Sequence, residues 1–199
     1  MINDNMILAT ANPGKIIEMR EILMDFGVEV LSRRDIGIDI DIDETGASYT
    51  ENALLKASAI CIASGFPSIA DDSGLEVKAL GGEPGVCSSI YGGERLNDEE
   101  RCSYLLKKME NREQRNAKFV CVIVCVYPDG RQFMAKGECN GEIVFSPRGT
   151  AGFGYDPIFL VNGTGRTMAE LLPEEKNALS HRGTALRALR DLMNSEQLW

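Results

Sequence analysis

The sequence is poor in histidine, tryptophan and positive charge. Of 199 residues, 1 is His and 1 is Trp, and aromatics make up 7%. One His excludes a histidine-rich metal centre and leaves a Ser-His-Asp triad a single candidate base. Lys and Arg number 21 against 30 Asp and Glu, a formal net charge of −9. That balance argues against a nucleic-acid partner, which calls for a broad basic face. It leaves room for a small anion held by local cations, because charges act within a Debye length of about 8 Å. No apolar run reaches the roughly 18 residues of a membrane span, so no membrane partner is expected. The start, Met1-Ile-Asn-Asp-Asn-Met-Ile7, lacks the basic and long apolar regions of a signal peptide. Cys61, Cys87, Cys102, Cys121, Cys125 and Cys139 include no C-x-x-C pair. A zinc ribbon or thioredoxin-like centre is therefore not expected, and a reducing, cytoplasmic compartment is.

What is present is an ordinary globular composition, 44% hydrophobic and 26% charged. Residues 1–199 read as a single domain, long enough to bury about two-thirds of the unfolded surface without a staple. Met6–Thr10 reads as a buried strand. A helix should start at Pro13 and stop at Gly27, followed by a strand over Val28–Leu31. Ser48-Tyr-Thr-Glu51 is a capping box that opens a helix to Ser64. Ser68–Ala70 reads as a brief strand ending in Asp71-Asp72-Ser73-Gly74. Asn97–Met109 reads as a charged helix with Asn97 as cap. Lys118–Tyr127 and Arg131–Gly137 flank the turn Pro128-Asp-Gly130, and the continuous apolar run Val120–Val126 predicts a central strand covered on both faces. Thr167-Met-Ala-Glu170 is another capping box, and one last helix is expected over Ala178–Met193. The pattern is that of an α/β protein with a mixed sheet.

Five segments carry chemistry-bearing residues. Thr10-Ala11-Asn12-Pro13-Gly14-Lys15 sits where a strand turns into a helix, a place suited to phosphate. Its alternative is a capped helix with Asn12 as cap, and the Walker A pattern fails at Ile16. Asp71-Asp72 follows an apolar strand. Its two carboxylates should point to different faces, one structural and one facing a site with a hard cation such as Mg²⁺, or form an Asx turn. The acidic stretch ending in Glu44-Thr-Gly46 is a solvated run or the source of a second metal carboxylate. Gly149–Pro157 offers Phe153 and Tyr155 for stacking a base, or forms a Gly-rich hairpin with core aromatics. Lys176, His181 and Arg182 make a cationic patch on an acidic chain, with His181 alternatively structural.

Taken in order, Thr10-Ala-Asn-Pro-Gly-Lys15, Glu44-Thr-Gly46, Glu51-Asn-Ala-Leu-Leu-Lys56-Ala, Ala70-Asp-Asp-Ser-Gly-Leu75, Phe153-Gly-Tyr-Asp-Pro-Ile-Phe159 and Glu175-Lys-Asn-Ala-Leu-Ser-His-Arg-Gly183 resemble the inosine triphosphate pyrophosphatase (XTP/dITP diphosphatase) family. The resemblance covers essentially the whole chain. It implies hydrolysis of deaminated purine triphosphates (ITP, dITP, XTP) to monophosphate and pyrophosphate with Mg²⁺. It also implies an elongated mixed sheet with flanking helices in two lobes around a substrate cleft, and a homodimer. By the family pattern Asp72 is the catalytic carboxylate and a metal ligand, and Glu44 a second metal ligand. Residues Thr10 to Lys15 and Lys56 match phosphate-side positions. Ser73, Phe153, Gly154, Tyr155, Asp156, Lys176, His181 and Arg182 match substrate positions, with His181 and Arg182 expected to donate to a 6-oxo group.

Where bacterial relatives usually read Pro-Gly-Val-Tyr-Ser-Ala-Arg-Tyr, this chain reads Pro84-Gly-Val-Cys87-Ser-Ser89-Ile90-Tyr91. An aromatic and a cation are lost from a segment expected at a dimer contact or cleft wall. Rival readings are a Maf-like pyrophosphatase with other bases, a non-catalytic nucleotide sensor, and a phosphatase that releases the terminal phosphate. The paired acids Glu44 and Asp72 argue against the sensor.

Overall fold

A computed structural model describes residues 6–196; the reading of residues 1–5 as lacking a signal region lies outside them. The strands are β1 (Met6–Leu8), β2 (Val30–Ser32), β3 (Ser68–Val77), β4 (Asn116–Val126), β5 (Gln132–Ile143) and β6 (Phe159–Val161). The helices are α1 (Pro13–Asp25), α2 (Tyr49–Ser64), α3 (Asp98–Lys108), α4 (Pro173–Leu179) and α5 (His181–Ser195). The strands form one sheet in the order β2-β1-β3-β4-β5-β6. It is mixed, with β1 parallel to both β2 and β3, and β5 antiparallel to β6. No described helix is long and apolar enough to cross a membrane.

The chain divides into two compact units. The first comprises residues 1–72, 121–137 and 182–199, and the second 73–120 and 138–181. In the first, β4 alternates between two cores. Cys121, Ile123 and Cys125 pack with Met19 and Leu23 of α1 and Leu186, Leu189 and Met193 of α5. Val122, Val124 and Val126 pack with Ala53, Ala57 and Ile60 of α2. The uninterrupted apolar run of β4 follows from this double coverage. In the second unit Leu75, Val77, Phe119, Cys139 and Ile143 pack with Cys102 and Leu105 of α3, with Met109 just after it, and with Tyr155 and Phe159. The opposite face is polar, with the Lys118 ammonium 2.9 Å from Glu138 and 3.5 Å from Glu76.

Several elements differ from expectation. β3 does not end at Ala70 but runs 10 residues through the acidic pair, which excludes an Asx turn there. β5 continues to Ile143, its inward positions Ala135, Cys139 and Ile143 alternating with exposed Lys136, Asn140 and Glu142. The single last helix is two, because Ser180 adopts ψ 158°, which cannot continue α4. Ser is a favoured residue at such a helix entry, and the break puts His181 and Arg182 in the first turn of α5. The segment altered at Cys87 and Ile90 lies beside β3. Ser88 Oγ accepts the Leu75 N–H at 2.9 Å and donates to Gly85 C=O, which satisfies a backbone group on the strand's edge. Cys87 and Ile90 themselves are exposed.

Candidate active site

In the first unit, strand alternation sends the two carboxylates of β3 to opposite faces. Asp71 is fully buried. Its Oδ2 takes Lys15 Nζ at 3.0 Å, Arg182 Nε at 3.2 Å, Arg182 Nη2 at 2.9 Å and the Cys121 thiol at 3.9 Å. Arg182 Nη1 pairs with Glu18 of α1. Burial pushes the Asp71 carboxyl up, but Lys15, Arg182 and Lys56 outweigh it and hold it well below the usual carboxylate range. Burial likewise works against the Arg182 cation, and Asp71 and Glu18 overturn that. Asp71 Oδ1 is buried without a hydrogen-bond partner among the described residues.

Asp72 faces a second group. Its Oδ2 accepts from Asn52 Nδ2 at 3.2 Å, and its Oδ1 lies 3.6 Å from Lys56 Nζ. Lys56 Nζ also lies 2.8 Å from Glu44 Oε2. Asn52 Oδ1 takes the Gly46 N–H at 2.8 Å, so one amide ties the Glu44 loop to Asp72. A side chain at Gly46 would put its Cβ 2.6 Å from that Asn52 oxygen, which accounts for the glycine after Glu44. Burial raises the Asp72 carboxyl, Lys56 and Lys15 oppose that, and the Glu44 charge adds to the rise. Burial lowers the Lys56 ammonium, but Asp71, Asp72 and Glu44 together raise it. The two acids therefore differ: Asp71 is a locked anion, and Asp72 binds a proton more readily.

Glu44 and Asp72 fit a hard divalent cation. Both reach one positive centre, the Lys56 ammonium, and both offer carboxylate oxygen. No cluster of three or more His, Cys, Asp and Glu gathers among the described residues. Magnesium needs only one or two carboxylates when substrate phosphate and water complete its shell. At the entry to α1, Asn12 caps the helix by accepting the Lys15 N–H at 3.1 Å, and Thr10 Oγ1 takes the Asn12 N–H at 3.2 Å. Ala11, Pro13 and Gly14 complete that turn, with Pro13 at the first helical position.

The second unit gathers the other candidates. Asp156 Oδ2 accepts the Phe153 N–H at 3.0 Å and pairs with Lys176, whose Nζ lies 4.9 Å from the Phe153 ring centre. Gly152 has φ +79°, and a Cβ there would come within 2.1 Å of Asp156 Oδ2. His181 stacks on Phe119 with ring centres 4.7 Å apart at 13°. Tyr155 is buried and its hydroxyl donates to Ser88 C=O at 2.9 Å, so of the two aromatics it is core and Phe153 is half-buried. Ser73 is half-buried on β3.

Arg182 departs from the expectation that it donates to a base. It is 1% exposed, with Nε and both terminal nitrogens on Asp71 and Glu18. Sequence reasoning missed Glu18, Asn52, Phe119 and Cys121. A signal existed for two of them. Asn52 shares the buried face of α2 with Ala53 and Ala57, and Glu18 shares the buried face of α1 with Met19 and Ile22. A polar side chain on such a face needs a partner.

Comparison with known proteins shows what the chain is similar to. The Ham1 family model matches residues 6–192. A dITP/XTP pyrophosphatase of Thermus thermophilus is 51% identical over 185 residues, 92% of this chain and 88% of the relative. One from Escherichia coli is 44% identical over 193 residues, 95% of this chain and 98% of the relative. Among solved structures, the Staphylococcus aureus Ham1 protein superposes with a TM-score of 0.85 at 42% identity, covering 96% of this chain and 99% of that one. A HAM1 protein from Coxiella burnetii gives 0.86 at 41%, covering 96% and 98%. Matched over nearly its full length by the family model and by relatives of this identity, the chain belongs to the Ham1 family.

Proposed function

We propose that this chain hydrolyses the deaminated purine triphosphates dITP, XTP and ITP to the monophosphate and pyrophosphate, removing them from the nucleotide pool. The observation that carries the reading is the pair of carboxylates, Glu44 and Asp72, converging on Lys56 in a chain 44–51% identical to dITP/XTP pyrophosphatases. Water attacks the α-phosphorus, the bond to the β-phosphate oxygen breaks, and pyrophosphate leaves. Asp72, which faces Lys56 and Glu44, orients or deprotonates the attacking water. Asp71 stays anionic and holds Lys15 in place. Lys15 and Lys56 stabilise the charge that develops on phosphate oxygens. Mg²⁺, held by Glu44 and Asp72, would neutralise phosphate charge and ease departure of pyrophosphate. The Thr10–Lys15 turn and Ser73 serve the phosphate and sugar side.

Phe153 takes the face of the purine. His181 donates to its 6-oxo group, and an adenine amino group would leave that donor facing a donor. Gly154, Tyr155 and Asp156 shape the loop that presents Phe153. Arg182 acts through Asp71 rather than on the base. The resemblance further supports a cytoplasmic homodimer.

The test is a Mg²⁺-dependent assay with dITP, XTP, ITP, ATP and GTP in which pyrophosphate and phosphate are quantified separately. Pyrophosphate equal to monophosphate, from the deaminated purines and scarcely from ATP or GTP, is the expected result. Phosphate as the primary product, or equal turnover of ATP, overturns the reading.

A further inference from the structure

The loop that carries Phe153 is held by a helix that the sequence presents only as a charged surface. Asp98, the first residue of α3, accepts the Gly154 N–H through Oδ2 at 2.7 Å. Cys102, one turn later on the same face, donates its thiol to the Gly154 C=O at 3.3 Å. Burial, with Asp98 and Asp156 nearby, pushes that thiol up to about 12, so it keeps its proton at neutral pH. The N–H belongs to the peptide before Gly154 and the C=O to the peptide after it. One helix face therefore fixes both peptide planes that flank this residue.

α3 itself is firmly seated. Leu105 and Met109 lie in the core of the second unit. The Arg101 guanidinium donates to the carbonyls of Tyr91 at 2.9 Å, Gly93 at 3.2 Å and Leu96 at 2.6 Å. Asn97 and Glu100 close a capping box at the helix start. The Phe153 Cα lies in the gripped peptide and carries the ring through Cβ, and the Phe153 N–H goes to Asp156.

We propose that Asp98, backed by Cys102, is a positioning residue for base recognition: it sets the Gly154 peptides and thereby the plane of the Phe153 ring. The inference rests on the reading that Phe153 meets the purine. A ring placed by packing alone would tilt when the loop relaxes, and a tilted ring binds the base less well without altering the phosphate chemistry.

The experiment compares the steady-state kinetics of D98A, D98N, E99A and F153A with those of the unaltered chain, using XTP and Mg²⁺, alongside their thermal melting. D98A should raise KM about fivefold or more, with kcat within about twofold, as loss of a charged hydrogen bond implies. D98N keeps a carbonyl acceptor and should recover most of that loss. E99A removes the same charge from the same turn without touching Gly154, and should keep the original KM. An unchanged KM in D98A, or an equal rise in E99A, overturns the proposal. If F153A raises KM while D98A does not, the ring meets the base but α3 does not place it. If F153A leaves KM unchanged, the reading of the loop falls and the proposal with it.

Discussion

At the scale of single residues, the adjacent acids Asp71 and Asp72 have opposite relations to the fold. Asp71 is stabilised as an anion by Lys15 and Arg182, whereas burial and Glu44 work against the Asp72 charge. Arg182→Ala would leave Asp71 and Glu18 buried beside a missing cation and should cost about 3–5 kcal/mol in urea unfolding, with activity lost as well. Arg182→Lys should not restore it, since one ammonium cannot reproduce the planar fork. Asp72→Asn should behave differently. It removes a charge that the fold disfavours, so the variant should melt no lower than the unaltered chain while kcat falls about 10²–10⁴-fold. A cooperative loss of stability in Asp72→Asn would contradict this division. The opposite orientation of the two acids was legible from the period of a strand. Arg182's partner was not, because Arg182 and Asp71 are 111 positions apart and Arg182 and Glu18 are 164 apart, and no local pattern reports such pairs.

At the scale of elements, caps and apolar periods marked helix starts well, and strand ends poorly. Asn12, Ser48 and Asn97 each cap the helix expected of them. β3 was cut short because Asp is depleted in strands as a class; here the buried cations of the first unit compensate for it. The α4–α5 break was missed because Ser180 sits in a sequence whose helical period continues across it. The edge of β3 gives a test. Ser88→Ala leaves the buried Leu75 N–H without its acceptor and should cost about 1–3 kcal/mol by chemical denaturation. Cys87→Ser and Ile90→Arg alter exposed positions of the same segment and should stay within about 0.5 kcal/mol. The departure from the usual bacterial sequence therefore leaves the sealing of the strand intact.

At the scale of the whole molecule, all 6 cysteines are free thiols, and Cys87 alone among them is exposed. Burial pushes Cys125 to about 12 and Cys139 to about 11, and raises Cys61 and Cys121 as well. Little thiolate exists at pH 8 at any of these. Brief iodoacetamide treatment of the folded protein at that pH should give a single adduct, mapped to Cys87, and full labelling only after denaturation. Further adducts in the folded state would mean that the cores open readily.

The order in which segments enter the two units bears on how the chain is made. The second unit uses only residues 73–120 and 138–181, whereas the first also needs 182–199. Leu186, Leu189 and Met193 of α5 close a core begun by Met6, Leu8, Met19 and Leu23. On the ribosome β1 and α1 must therefore wait for α5, with their apolar faces uncovered. All segments of the second unit precede α5 in the chain, and a chain stalled just short of α5 would leave β1 and α1 open to proteases and chaperones.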